Sequence, residues 1–232
     1  MTTTDKTVIA LVLDETGSMS PTLGDTIGAI NSYFDSLEND LPEALVSVMT
    51  FSDVWGTEPT FRVHAQGAKP SELPRLNEQN YRPRGNTPLY DAIGKAIVET
   101  EKVEADRYIL VVMTDGEENR SSEYTLEAIK LLIEKKQGEN WTIVYLGANQ
   151  DAWQVGGSMG IHRGSSMSYT QSKKGMRATG QSLAMATTEL TSSGKLKSTD
   201  FFADAGQDAT DYSGEKVEDD DSSDEPSLWG QS

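Results

Sequence analysis

A doubly wound α/β fold, with a mostly parallel central sheet and helices on both faces, is predicted from three observations. Apolar runs rich in β-branched residues alternate along the chain with segments whose apolar residues recur at helical spacing. The two strongest runs, residues 7–13 and 107–114, are apolar almost without interruption, as strands buried on both faces of a parallel sheet must be. Two of the helical segments open on a hydroxyl residue followed by proline, Ser20-Pro21 and Thr87-Pro88, which is an N-cap and first-turn signal.

Residues 7–13 form the first strand, expected at the centre of the sheet. Leu23, Ile27, Ile30, Phe34 and Leu37 then mark an amphipathic helix that covers one face. Residues 44–51 read as the second strand, and residues 61–64 as a short one suited to an antiparallel edge. With Pro70, Pro74 and Pro83, residues 67–84 are expected to be a long irregular connection on the surface. Leu89, Ile93, Ala96, Ile97 and Thr100 mark the second helix, and residues 107–114 the next buried strand. A third helix follows over residues 125–136, with Leu126, Ile129, Leu132 and Ile133 inward, then a strand over 142–146. Beyond Gly147 the pattern thins to a short helix over 151–159, a last strand over 166–169 and an Ala- and Thr-rich helix over 176–190. The expected organisation is one domain over residues 1–195 and an acidic, Gly- and Ser-rich flexible tail over 196–232, with disorder expected from about Asp204. No internal repeat is evident.

The formal charge of −17 argues against non-specific binding to nucleic acid or anionic membranes, which needs clustered Lys and Arg. Residues 215–225 hold seven acids against one lysine, a net of −6, so the remaining −11 makes the body acidic as well. No cysteine is present, which excludes disulfides, zinc–thiolate sites and a cysteine nucleophile. No apolar run approaches the roughly 20 residues that span a bilayer, and the first residues lack a secretory pattern. A cytoplasmic protein, or one assembled from the cytosol into a virion, is expected.

The stretch Asp14-Glu15-Thr16-Gly17-Ser18-Met19-Ser20 follows the first strand directly. A carboxylate at a strand end, then a tight turn with two hydroxyls, supplies the hard oxygen ligands that Mg²⁺ or Mn²⁺ prefers. Two later segments, Gly85-Asn86-Thr87-Pro88-Leu89-Tyr90-Asp91 and Val111-Val112-Met113-Thr114-Asp115-Gly116, add a third hydroxyl and a second carboxylate, each where an element ends. Five oxygen side chains, Asp14, Thr16, Ser18, Thr87 and Asp115, are the candidate metal ligands.

In that order they resemble the von Willebrand factor type A domain with its metal-ion-dependent adhesion site, of the bacterial or phage intracellular kind. The family pattern is Asp-x-Ser-x-Ser after the first strand, a Thr before a middle helix and an Asp after the fourth strand. Thr16 stands where Ser is usual and keeps the hydroxyl. The resemblance implies a vWA/Rossmann-like sheet in which the strands ending at Asp14 and Asp115 are neighbours. It also implies that a partner protein supplies an Asp or Glu carboxylate to the open metal position. The helices beginning near Pro21 and Pro88 are expected to aim their positive N-termini at the same face and favour that anion. Loss of Asp14 or Asp115 is expected to remove metal binding while the domain stays folded, the acids lying at exposed loop ends.

Several neighbours carry two readings each. Asp53 is either a group supporting the ligands or an ordinary turn former. Arg82 and Arg84 either attract the partner's acid or keep a loop soluble. Glu117 and Glu118 either tune the metal or form a solvated loop. Asn149-Gln150-Asp151 is best taken as a helix cap, and Trp55 is either a partner anchor or a packed residue. The acidic run at Asp219, Asp220 and Asp221 is either a tethered competitor for the metal or, as such runs more often are, a solvated spacer.

An enzyme is disfavoured. Neither histidine, His64 or His162, adjoins Ser18, no Gly-x-Ser-x-Gly elbow or Walker motif occurs, and Thr16 stands where a haloacid-dehalogenase-like phosphotransferase needs a second Asp. A metal-dependent protein-binding module is the leading expectation. The alternatives are a scaffold or assembly protein with incidental metal, in a phage particle or an AAA-type ATPase or chelatase complex, and last a metal-dependent hydrolase.

Overall fold

The computed structural model describes residues 5–54, 60–148 and 151–203. A six-stranded sheet in the order β3-β2-β1-β4-β5-β6 forms its centre. The strands are β1 (Thr7–Asp14), β2 (Leu45–Ser52), β3 (Thr60–Ala68), β4 (Arg107–Thr114), β5 (Trp141–Ala148) and β6 (Ser166–Tyr169). All pairings are parallel except β2 with the edge strand β3. The helices are α1 (Leu23–Asp40), α2 (Leu89–Thr100), α3 (Leu126–Gly138), α4 (Ala152–Ser158) and α5 (Lys173–Ser192).

Pleat alternation explains why β1 and β4 read as unbroken apolar runs. Ile9, Leu11 and Leu13 of β1, with Ile109, Val111 and Met113 of β4, pack beneath α1 and α5. Ala10 and Val12, with Leu110 and Val112, face the layer of α2, α3 and α4. Each strand therefore buries both faces, as a parallel sheet sandwiched between helices requires. The chain adds β2 and β3 on one side of β1, then crosses to add β4, β5 and β6 on the other. Strand order thus reverses between β1 and β4, the place where ligands bind in open α/β sheets.

Three expectations change. Strand β3 runs from Thr60 to Ala68 rather than over 61–64, because backbone pairing to β2 carries it through Ala65, Gln66 and Gly67, which give no strand signal of their own. The connection over 67–84 is irregular but not superficial. Leu73, Leu76 and Tyr81 are buried against the α1/α5 face, and Asn31 of α1 clamps Leu76 through both its side-chain atoms at 2.9 Å. Packing also continues past residue 195. Phe201 is buried in the same core, and the Ser198 amide donates to Thr142 Oγ1 at 2.8 Å, so an apolar anchor beyond the acidic onset extends the body to residue 203. Trp55, Asn149, Gln150 and the acidic run over 215–225 lie outside the described residues. Asp151, as expected, caps α4, accepting from the Trp153 and Gln154 amides.

Candidate metal centre

Asp14 ends β1 at the switch point and is fully buried. Its Oδ1 accepts the Thr16 amide at 2.7 Å, and its Oδ2 accepts the Thr114 hydroxyl at 2.5 Å. The turn that follows brings the hydroxyls together, with Thr16 Oγ1 3.1 Å from Ser18 Oγ. Ser18 Oγ donates to Asp115 Oδ1 at 2.5 Å, and Thr87 Oγ1 donates to Thr16 Oγ1 at 3.4 Å. All five expected side chains therefore meet in one cluster. Asp14, Thr16 and Thr87 are buried, Asp115 is half-buried and Ser18 is exposed, so the cluster opens to solvent on the Ser18–Asp115 side.

Local backbone geometry explains how three distant segments converge. Gly85 has φ +76°, and a Cβ there would fall 2.1 Å from the Asp53 carbonyl oxygen, so only glycine allows this approach. Asp53 and Asn86 then exchange backbone hydrogen bonds of 3.0 and 2.7 Å, tying the 85–87 loop to the end of β2. Asn119 takes both backbone groups of Thr87. Its Oδ1 accepts the Thr87 amide at 2.9 Å, and its own amide donates to the Thr87 carbonyl at 3.2 Å. Thr87 Oγ1 fits because residue 116 is glycine; a Cβ there would sit 2.8 Å from it. Beneath the cluster, Tyr81 donates its hydroxyl to the Asp14 carbonyl at 2.5 Å, and Tyr169 to the Thr114 carbonyl at 3.4 Å. The second oxygen of Asp115 accepts from Gln171 Nε2.

The electrostatics follow from burial. Burial pushes the Asp14 carboxyl up to about 6, the hydrogen bonds from Thr114 and Thr16 opposing and the Asp115 charge adding to the rise. Asp115 is also raised, by burial first, with Ser18 and Gln171 pulling the other way. Two carboxylates thus face one another where neither is well solvated as an anion. Among the described residues no three His, Cys, Asp or Glu side chains group together, so the cluster's chemistry is two carboxylates plus three alcohols. Its spacing suits a small hard cation. Oxygens about 2.0 to 2.1 Å from an octahedral Mg²⁺ lie about 3 Å from their neighbours. The observed contacts of 2.5, 3.1 and 3.4 Å bracket that separation.

The surrounding residues resolve most of the double readings. Asp53 is buried and pairs with Arg120 Nε at 2.5 Å while its backbone holds Asn86, so it supports the Thr87 loop. Glu118 does neither of the things expected of it. It accepts from the Tyr90, Arg120 and Ser121 amides and from the Ser121 hydroxyl. That changes the helix-dipole expectation, because the Tyr90 and Asp91 amides in the first turn of α2 are already taken by Glu118 and Ser121 and do not aim at an incoming anion. The other expected helix start at Pro21 lies inside a 3₁₀ stretch, Gly17–Thr22, with α1 beginning at Leu23. Asp14 does not lie at an exposed loop end as expected: its side chain is fully buried and accepts from two donors. Arg82 is exposed with its Nε on the Glu78 carbonyl, and neither it nor Arg84 has a hydrogen bond to the five site side chains.

Several residues of the site gave no sequence signal. Glu15, between two site residues, is buried and ion-paired with Arg62 of β3, which locks the turn to the sheet edge. Asn119 and Gln171 lie in polar loops where either would pass as a solvated residue. Thr114 ends β4 next to Asp115, and the pairing of β1 with β4 brings its hydroxyl to Asp14. His64 bonds Thr50 Oγ1 at 2.9 Å and His162 is exposed, so neither imidazole has a hydrogen bond to the cluster. No described helix is long and apolar enough to cross a membrane.

The sequence matches the family model of the von Willebrand factor type A domain over residues 9–174. No curated protein matches it. Among solved structures, it is similar to the pilus adhesin SpaC from Lactobacillus rhamnosus GG in its open conformation, at 14% identity and a TM-score of 0.63, over 80% of this chain and 30% of that one. The vWF domain of the type V pili tip protein Mfa5 from Porphyromonas gingivalis aligns at 8% identity and a TM-score of 0.60, over 79% of this chain and 97% of that one. Proximal thread matrix protein 1 from the mussel byssus, in a structure with a zinc-occupied MIDAS motif, aligns at 14% identity and a TM-score of 0.58, over 80% and 46%. The chain spans less than half the length of the Lactobacillus and mussel proteins. With the strand order, the carboxylate and hydroxyl cluster at the switch point and a family match over well above half its residues, the chain belongs to the von Willebrand factor type A domain family.

Proposed function

We propose that Asp14, Thr16, Ser18, Thr87 and Asp115 hold one divalent cation, Mg²⁺ or Mn²⁺, directly or through water, and that the domain is a protein-binding module. The observation that carries this reading is the continuous run of contacts from Thr87 through Thr16 and Ser18 to Asp115. It gathers hard oxygens at the separations a small octahedral ion requires, and Asp14, bonded to the Thr16 amide, adds to Asp115 a second carboxylate that burial leaves poorly solvated. A bound cation supplies Lewis-acid attraction for an anionic oxygen. The residues of this chain do the rest. Asp14, Thr16 and Thr87 form the buried floor, and Ser18 and Asp115 border the opening through which an Asp or Glu of a partner protein approaches. The pilus adhesin and pilus tip protein among the structural neighbours support an attachment role.

Catalysis is not part of this reading. Ser18 meets the carboxylate of Asp115, which is assigned to the cation, and His64 is engaged by Thr50. The test is an affinity capture of partner proteins by the full chain in Mg²⁺ and in chelator. Partners released by chelator, and lost in Asp115→Asn, support the module. Capture that is indifferent to both assigns binding to another surface.

A further inference from the structure

A groove lies away from the metal centre. It is open, has a volume of about 550 Å³ and runs between α1 and α5. The two helices approach so closely at its base that a Cβ on Gly180 would meet the Ala29 carbonyl at 3.2 Å. On the α5 side stand Lys173 and Arg177, one turn apart, with Lys174 beside them; on the α1 side Asp25 is the single acid. Lys173, Lys174 and Arg177 are exposed, and none of the three has an ion pair or side-chain hydrogen bond among the described residues. Their position is electrostatically unfavourable. They occupy the first turns of α5, where the helix dipole is positive and repels cations. In a chain of net charge −17, three unpaired cations gathered at that end call for a compensating anion.

We propose that the acidic segment over residues 215–225 of this same chain docks along the groove, its carboxylates on Lys173, Lys174 and Arg177. Charge complementarity is the first argument: that segment carries seven acids and one lysine. Reach is the second. The described chain ends just after Phe201, which packs beside Leu190 near the far end of α5. From Leu190 back to Lys173 the helix rises about 26 Å, at about 1.5 Å per residue. Residues 204–214 can extend to roughly 36–40 Å, at about 3.3–3.6 Å each. Each surface ion pair is individually weak, but a tether of this length holds the carboxylates at an effective concentration on the order of millimolar. The docking is independent of the metal centre.

The absence of native cysteine makes a direct test simple. A spin label on Gln181→Cys in the groove and another on Ser222→Cys in the acidic run, in the full chain, report their separation by pulsed electron resonance. A short-distance population is expected at about 10 mM salt, where charges act over about 30 Å, and its loss at about 1 M, where they act over about 3 Å. The same loss is expected at low salt in Lys173→Glu/Arg177→Glu, whose exposed side chains leave the fold intact by circular dichroism. A broad distribution unchanged by salt or by charge reversal overturns the proposal. So does a short distance that disappears when labelled chain is diluted with unlabelled chain, which assigns the groove to a second copy. Loss of the short distance on adding Mg²⁺ overturns it too, by placing the tail at the metal centre.

Discussion

Replacing Asp14 by asparagine separates the electrostatics of the site from its shape. Burial raises the Asp14 carboxyl from 3.8 to about 6, so in the metal-free protein its ionisation is resisted by the fold. Because the folded-state value lies above the unfolded one, the native state holds more protons than the unfolded chain between about pH 4 and pH 6. Stability therefore falls as pH rises through that window and is level above it. The difference of about 2 units corresponds to about 3 kcal/mol. For a domain of this size that is roughly 6–12 °C in Tm, at about 2–4 °C per kcal/mol. Asparagine keeps an oxygen for the Thr16 amide, and its NH₂ can donate to Thr114 Oγ1, whose hydroxyl already has the Gly116 carbonyl as a second acceptor. In chelator at pH 7, Asp14→Asn should therefore melt no lower than the natural protein and up to that much higher. It should also lose the decline between pH 4 and pH 6, and Mg²⁺ should no longer stabilise it. Thermal denaturation from pH 4 to pH 8, with and without Mg²⁺, reads all three. An Asp14→Asn variant that melts several degrees lower in chelator at pH 7 would refute the reasoning, by showing that the carboxylate serves the fold rather than a cation.

Asp115→Asn should remove measurable Mg²⁺ binding with little loss of Tm, because Asp115 is half-exposed; Thr16→Ala and Thr87→Ala should weaken binding less, each removing one neutral oxygen. Calorimetric titration ranks them, and equal losses in all three would contradict the assignment of charge to the acids. Gln171→Ala should lower metal affinity by about tenfold, by freeing the second oxygen of Asp115 that its amide holds. Restoration by Gln171→Asn is not expected, since the shorter side chain falls short. Gly116→Ala places a methyl 2.8 Å from Thr87 Oγ1 and should cost about 1–3 kcal/mol by urea denaturation, with a parallel loss of affinity. An unchanged urea midpoint would mean that the Thr87 loop yields freely.

Buried strands were the most legible part of the chain. Arg107–Thr114 and Ser166–Tyr169 match the sequence expectation residue for residue, the first because two covered faces demand an unbroken apolar run. Edge and connecting segments were less legible, for a physical reason. Ala65, Gln66 and Gly67 are held in β3 by pairing to β2 rather than by their own side chains, and Leu76 is drawn inward by Asn31, a contact 45 residues distant. In the site, the five converging oxygens could be named from the three segments and their resemblance to the family pattern. What holds them could not. Asn119, Gln171 and the Glu15–Arg62 pair act across loops, and nothing in their local sequence distinguishes them from solvated polar residues. The helix-dipole expectation failed because Glu118, 28 residues after Tyr90, already occupies the start of α2.

Isothermal titration of the full chain with Mg²⁺, and then with Mn²⁺, tests the central claim most directly. One ion per chain, competed by chelator and absent in both Asp14→Asn and Asp115→Asn, is the predicted result. Heat that persists in both variants, or no binding to the natural protein at millimolar metal, would show that these carboxylates and alcohols do not share a cation.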